Sequence, residues 1–301
     1  MFSKEYNTSK KIEALLQLID DPDENVYSEV KQQLLMLGPV ALPYLERIWN
    51  ETMNNWIVQR VEEIIEDIKF NELARELIHW KYHKQEDLLY AVWLINHFQY
   101  PEISLEYLQK KIEQIKKDIW IEFAEDLTAL EEITIINHII YDVHQFSPNI
   151  ANFYAIQNNY LHYVLENKKG NNISLGILYL IITQSLNLPV FAVNIPDYLI
   201  LSYINDDTNL YDAKTDTIQE ASLFYINPFS KGTLLQKEDI KEFLNQLQTP
   251  ENSNYFIPCS NAVVIEKLIA SFAQSYAHQG NSAMYKRYKT LLQKLSESIN
   301  L

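Results

Sequence analysis

Ser174 is the residue in this chain best placed by its neighbours to do covalent chemistry, in the string Gly170-Asn171-Asn172-Ile173-Ser174-Leu175-Gly176 that opens an apolar helical run. An acyl-transfer serine or cysteine needs a base to take its proton, and histidine is the usual choice because its pKa lies near working pH. Between Ser174 and His278 there is no histidine. His138, His144 and His162 precede the serine, and folding could bring one close, His162 being the nearest in sequence. The plainer alternative for Ser174 is a helix cap. His79 and His83 stand four apart, a spacing that suits a metal on one helix face, but they lack the adjoining Glu of the zinc-protease motif, and no metal is expected. Cys259, the sole cysteine, excludes an internal disulfide, and with no cationic neighbour in sequence it reads as a part-buried small residue.

These residues must be positioned by a sizeable fold. The 301 residues, 47% of them hydrophobic and including 20 Tyr and 12 Phe, suit two or three packed domains. Only five glycines are present and neither a GxGxxG nor a P-loop string occurs, so nucleotide binding by those routes has no support and no cofactor is expected. A net charge of −15 opposes nucleic-acid binding, and Lys110-Lys111, Lys116-Lys117 and Lys168-Lys169 read as solvated faces. Without an apolar leader or about 18 uninterrupted apolar residues, the expectation is a cytoplasmic protein with no membrane contact.

Residues 10 to 70 read as helical hairpins. Leu15, Leu16, Leu18 and Ile19 form a stripe stopped by Asp20-Asp21-Pro22-Asp23, Val26, Val30, Leu34, Leu35 and Leu37 follow at helical spacing, and Gly38-Pro39 ends the run. The pattern resembles a HEAT repeat. Helices are predicted over 56–70, 72–81, 87–98 and 105–120. A capping box at Thr128-Ala129-Leu130-Glu131 starts another over 129–141, and one over 159–167 ends near Gly170, which can take the left-handed conformation needed there. A further helix begins around Ser174 and closes at Asn187-Leu188-Pro189. The period then becomes strand-like at Val190–Val193, Tyr198–Tyr203, Leu210–Asp212 and Leu223–Ile226, with turns at Asn205-Asp206-Asp207 and Ser230-Lys231-Gly232. Phe256 to Ser260 reads as a loop. A final hairpin over 262–277 and 282–296, with Ala270, Ala273, Ala277 and Ala283 and with Tyr276, Tyr285 and Tyr288, resembles a tetratricopeptide repeat.

Seven short strings carry a wider resemblance: Asp126 to Glu131, Asn137 to Tyr141, Val164 to Asn171, Ile173 to Leu175, Leu188 to Val190, Val193 to Pro196, and Asn227 to Phe229. In that order, over about residues 105 to 300, they resemble the SirB-type, transglutaminase-like family of bacteria, whose members join a papain-like core to tetratricopeptide repeats. The resemblance implies an α+β, predominantly helical fold in three parts: 1–104 HEAT-like helices, 105–250 a papain-like core with a small antiparallel sheet, and 251–301 a TPR-like hairpin. In the wider superfamily a Cys at a helix N-terminus works with a His and an Asp from following strands, where the helix end stabilises a thiolate and an oxyanion. Ser174, Tyr198 and Asn227 fall on those three positions. The family itself usually carries the serine but keeps a histidine where this chain has Tyr198.

Tyrosine, with an ordinary pKa near 10, is a poor base at neutral pH, and Asn227 has no histidine to orient. The expectation is therefore a catalytically inactive, transglutaminase-like protein that meets another protein or peptide through its helical repeats. A residual serine-dependent hydrolase or acyltransferase using Ser174, or a small-ligand or peptide binder reusing the cleft at Ser174, Tyr198 and Asn227, are the alternatives.

Overall fold

The computed structural model describes residues 2–205, 222–246, 248–250 and 252–297. The strand expected at Leu210–Asp212, and all but the first residue of the turn at Asn205-Asp206-Asp207, lie outside them. The fold is α+β and predominantly helical, in two compact units, Met1–Ile78 and His79–Leu301.

In the first unit, α1 (Phe2–Leu16) and α2 (Glu24–Leu37) meet at the acidic turn, where the Asp23 carboxylate caps α2 by accepting from Asn25 N–H. Gly38, at φ 63°, ends α2, and α3 (Leu42–Glu51) follows. Ile12, Leu16, Val30, Leu34, Leu45 and Ile64 are among the buried residues of one core. Arg60 ties the acidic turn to the long helix α4 (Asn55–His83): its guanidinium donates to the Ile19 and Asp21 carbonyls, pairs with Glu24, and lies between the rings of Tyr27 and Trp56. The two helices expected over 56–70 and 72–81 are one, because no Gly or Pro interrupts the run between them.

The second unit contains α5 (Leu88–Gln99), α6 (Leu105–Glu122) and α7 (Ala129–Asn137). The Thr128–Glu131 capping box starts α7. The helix expected to run to Tyr141 hands over after Asn137 to one turn of π-helix (His138–Val143). A short parallel pair, β1 (Ser147–Pro148) and β2 (Lys169–Gly170), brackets α8 (Leu161–Asn167). Lys168, at φ 59°, takes the left-handed position expected of Gly170. Gly170 is excluded from enlargement for another reason: a Cβ there would stand 2.6 Å from Ser174 Oγ.

Helix α9 (Asn172–Ser185) is buried on every face from Asn172 through Thr183, the signature of a central helix rather than an amphipathic one. Beside it lies an antiparallel sheet in the order β6 (Thr233–Leu235), β5 (Ser222–Asn227), β4 (Ile200–Ile204), β3 (Val190–Val193), β7 (Pro258–Cys259). The segment expected as a loop before the last hairpin is the edge strand β7, pairing Cys259 with Ala192. Helix α10 (Lys237–Gln246) precedes it. The hairpin of α11 (Asn261–His278) and α12 (Ser282–Glu297) closes the unit, with Phe272 and Tyr276 stacked on the buried Tyr288. Asn137 locks three parts together, donating to the Gly232 carbonyl while accepting from the Tyr179 hydroxyl of α9. Among the described residues, no helix is long and apolar enough to cross a membrane.

Candidate functional site

Ser174 occupies the third position of α9, and Asn171 caps the helix. The Asn171 side-chain oxygen accepts from the N–H groups of Ile173 and Ser174, at 3.1 and 2.9 Å, and the Ser174 hydroxyl accepts from Asn171 N–H at 3.0 Å. This is a reciprocal capping box, which satisfies amides that a helix start leaves without partners. The hydroxyl's other bond, at 3.4 Å, is to the Asn171 carbonyl. Ser174 is 2% exposed, so its oxygen faces the turn that it closes.

His138, His144 and His162, the three histidines nearest before the serine, are each held by a different group. His162 Nδ1 lies 2.7 Å from the Asn96 amide oxygen; only a protonated Nδ1 satisfies that acceptor, and this fixes the tautomer. Burial holds the His162 imidazole below its ordinary pKa, against the opposing pull of Glu166 and Glu102. His144 Nε2 meets Asp118 at 2.8 Å, and His138 meets Asp142 at 3.2 Å. His79 and His83 have their rings 4.5 Å apart, and among the described residues no third His, Cys, Asp or Glu joins them as a metal group. Burial pushes the Cys259 thiol up to about 11, which leaves it protonated and unreactive at neutral pH.

Tyr198 and Asn227 have unlike settings. Asn227 ends β5 and caps the turn after it: its side-chain oxygen accepts from Phe229 and Ser230 N–H, and its amide donates to the Ser230 hydroxyl. Tyr198 is half-buried, its ring edge-on to Phe243, and it faces a cleft of about 770 Å³. Neither Ser174 nor Asn227 lines that cleft, whereas the helix start beside the serine does, through Asn171, Asn172 and Ile173.

The loop that carries Tyr198 is fastened from both sides. Asp197 takes the left-handed conformation at φ 57°, a region that Asp enters more readily than most residues. From α9, Asn172 donates to the Asp197 carbonyl at 2.6 Å. From α11, Gln274 donates to the Asp197 carboxylate, and the Lys267 ammonium donates to the Ile195 carbonyl. Gly176 lets α9 approach this loop, since a Cβ there would stand 2.7 Å from Leu199 Cδ2 and 2.9 Å from its Cβ.

A polar network forms the floor. The Asn171 amide donates to Asn159 at 2.8 Å and to the Ser271 hydroxyl at 3.2 Å; Ser271 donates to Asn159; and the Asn159 amide donates to the buried Ser275. These bonds join the start of α9 to α11 in a low-dielectric setting where unmade bonds are costly. The far wall presents Ala270, Ala273 and Ala277 of α11, with Lys289 and Tyr285 of α12 and the stacked pair Tyr154–His278 at its edge. Sequence reasoning placed Tyr198 here but missed the α11 wall, Lys267, Ser271, Gln274 and Ser275. The available signal was three polar residues interleaved with the small ones at Ala270, Ala273 and Ala277.

Comparison with known proteins finds relatives of this chain in a mammal and in bacteria. The mouse (Mus musculus) F-box only protein 21 is 30% identical over 111 residues, which are 37% of this chain and 17% of that protein. A UPF0162 protein of Xylella fastidiosa strain Temecula1 is 22% identical over 166 residues, 52% of this chain and 50% of its own. A UPF0162 protein of Haemophilus influenzae is 26% identical over 121 residues, 39% of this chain and 45% of its own. The chain thus spans half or less of the length of each of these relatives. No solved structure matches it. The model of the transglutaminase-like superfamily matches residues 106–270, more than half of the chain and the whole of α9 and the sheet, and the chain belongs to that superfamily.

Proposed function

We propose that this chain is a catalytically inactive member of the superfamily, close to its SirB-type branch, that acts by holding another protein or a peptide. The observation that carries this reading is the state of the Ser174 hydroxyl: it is buried and closes a capping box with both bonds on Asn171. A nucleophile must instead give its proton to a base, and the histidine the SirB-type family keeps is here Tyr198. Asn227 is occupied in capping its own turn.

The test is turnover of generic ester and amide substrates by the wild type and by Ser174→Ala, with labelling by a serine-reactive fluorophosphonate. Equal background rates and no label on Ser174 are expected. A rate that falls in the alanine variant, or a label on the serine, would establish the residual hydrolase instead.

A second reading rests on its own observation, the cleft. It is roofed by Tyr198, floored by a satisfied amide and hydroxyl network, and backed by small residues that let a chain approach closely. Binding at this cleft, rather than only along the helical hairpins, gives the non-catalytic reading a defined place of action.

A further inference from the structure

The protein as a whole is strongly acidic, with a net charge of −15, yet the described lining of the cleft carries two lysines, Lys267 and Lys289, and a histidine, His278, against one carboxylate, Asp197. That carboxylate is engaged by Gln274, and its main chain is tied to Asn172. Lys267 donates one of its three N–H bonds to the Ile195 carbonyl, and among the described residues no carboxylate lies within ion-pair distance of it. Burial lowers its pKa, although Cys259 and Asp197 act to raise it. Lys289 is exposed, and among the described residues its neighbour of complementary character is the ring of Tyr285, 6.0 Å from its ammonium. A partly buried ammonium with spare donors and a rim ammonium on one wall make a place where negative charge gains more than elsewhere on this surface.

We propose that the cleft binds an acidic peptide segment of a partner protein, its carboxylates reaching Lys267 and Lys289 while its main chain lies along the Ala270–Ala273–Ala277 face. The proposal rests on the reading of the cleft as a binding site and adds the chemistry of its occupant. An extended peptide fits better than a small anion because the two ammonium groups sit on different helices, α11 and α12, and both line a cleft of about 770 Å³. The acidic surface elsewhere does not forbid this, because charges beyond about 8 Å are screened at physiological salt while those in direct contact are not.

The test is fluorescence polarisation at physiological salt, using the full chain and a short fluorescein-labelled Glu-Ala repeat peptide, with the matching Gln-Ala and Lys-Ala peptides beside it. The Glu-Ala peptide is expected to bind at least roughly fivefold more tightly than the Gln-Ala peptide, as charge pairing at a partly exposed site allows. Lys289→Glu, which alters an exposed side chain outside the core, should abolish that preference, Lys289→Arg should retain it, and Lys267→Gln should weaken it. Equal binding of the Glu and Gln peptides overturns the inference yet leaves the non-catalytic binding reading standing, as does a preference that survives Lys289→Glu. Binding of none of the peptides, or of the Lys-Ala peptide alone, also overturns it. Conversely, Ser174-dependent cleavage of a tightly held Glu-Ala peptide would overturn the inactive reading and leave the acidic preference intact.

Discussion

The serine that first draws attention owes its position to backbone bonding. A helix cap was the plainer expectation for Ser174, but its exchange of bonds with Asn171 as a capping box was hard to read because the usual sign is Glu or Gln at the third position, as in Thr128-x-x-Glu131, where the box was legible. Tyr198 was legible through the order of the neighbouring strings, whereas Lys267, about 70 residues on, has nothing in its own surroundings to link it to a serine in a different helix. His162 offers a test at this scale. Its imidazole lies below the ordinary 6.5 in the folded chain, so the unfolded chain binds more protons just under that pH, and stability falls as pH drops through the window. Tm measured from about pH 7 to about pH 5 should decline less steeply in His162→Gln than in the wild type. Parallel curves would mean that the imidazole is not buried in its neutral form.

At the scale of elements, α9 is the piece on which the site depends; it was legible as an apolar helix from about Ser174, but its burial on every face was not, since that depends on what packs around it. The hairpin of α11 and α12 was legible as helices because small and aromatic residues recur at turn spacing. Its second task as a cleft wall was not, since that depends on what it packs against. Strands β6 and β7 are two or three residues long and too short to show a period. Gly176 tests the closeness of α9 to the Tyr198 loop. Alanine would ordinarily favour a helix by up to about 1 kcal/mol, but here its methyl would overlap Leu199 Cβ, Cγ and Cδ2, which rotation of one side chain cannot relieve. Gly176→Ala should therefore lose about 1–3 kcal/mol in urea unfolding, net of the propensity gain. A stabilised variant would show that the loop yields freely.

For the molecule as a whole, charge sets the behaviour. A net charge of −15 imposes self-repulsion that salt relieves, so raising sodium chloride from about 0.02 to about 0.3 M should raise Tm by a few degrees, read by differential scanning fluorimetry. A flat or falling Tm would mean that attractive pairs such as Lys31–Glu63 and Lys31–Asp67 outweigh the repulsion. Helices followed by short strands were legible from period, and the small antiparallel sheet from the resemblance; the course of the chain through the cleft was not, because it is decided by contacts between distant segments. One such contact bears on how the protein is made. The Asn171–Ser271 bond spans 100 residues of sequence, and the Asn159–Ser271 bond spans 112. During synthesis from the N-terminus, Ser174 and Tyr198 emerge well before the wall that completes their surroundings, so the cleft is among the last features of the chain to form. A nascent or truncated chain ending before α11 would carry the strings on which the resemblance rests and still lack the wall that completes the cleft.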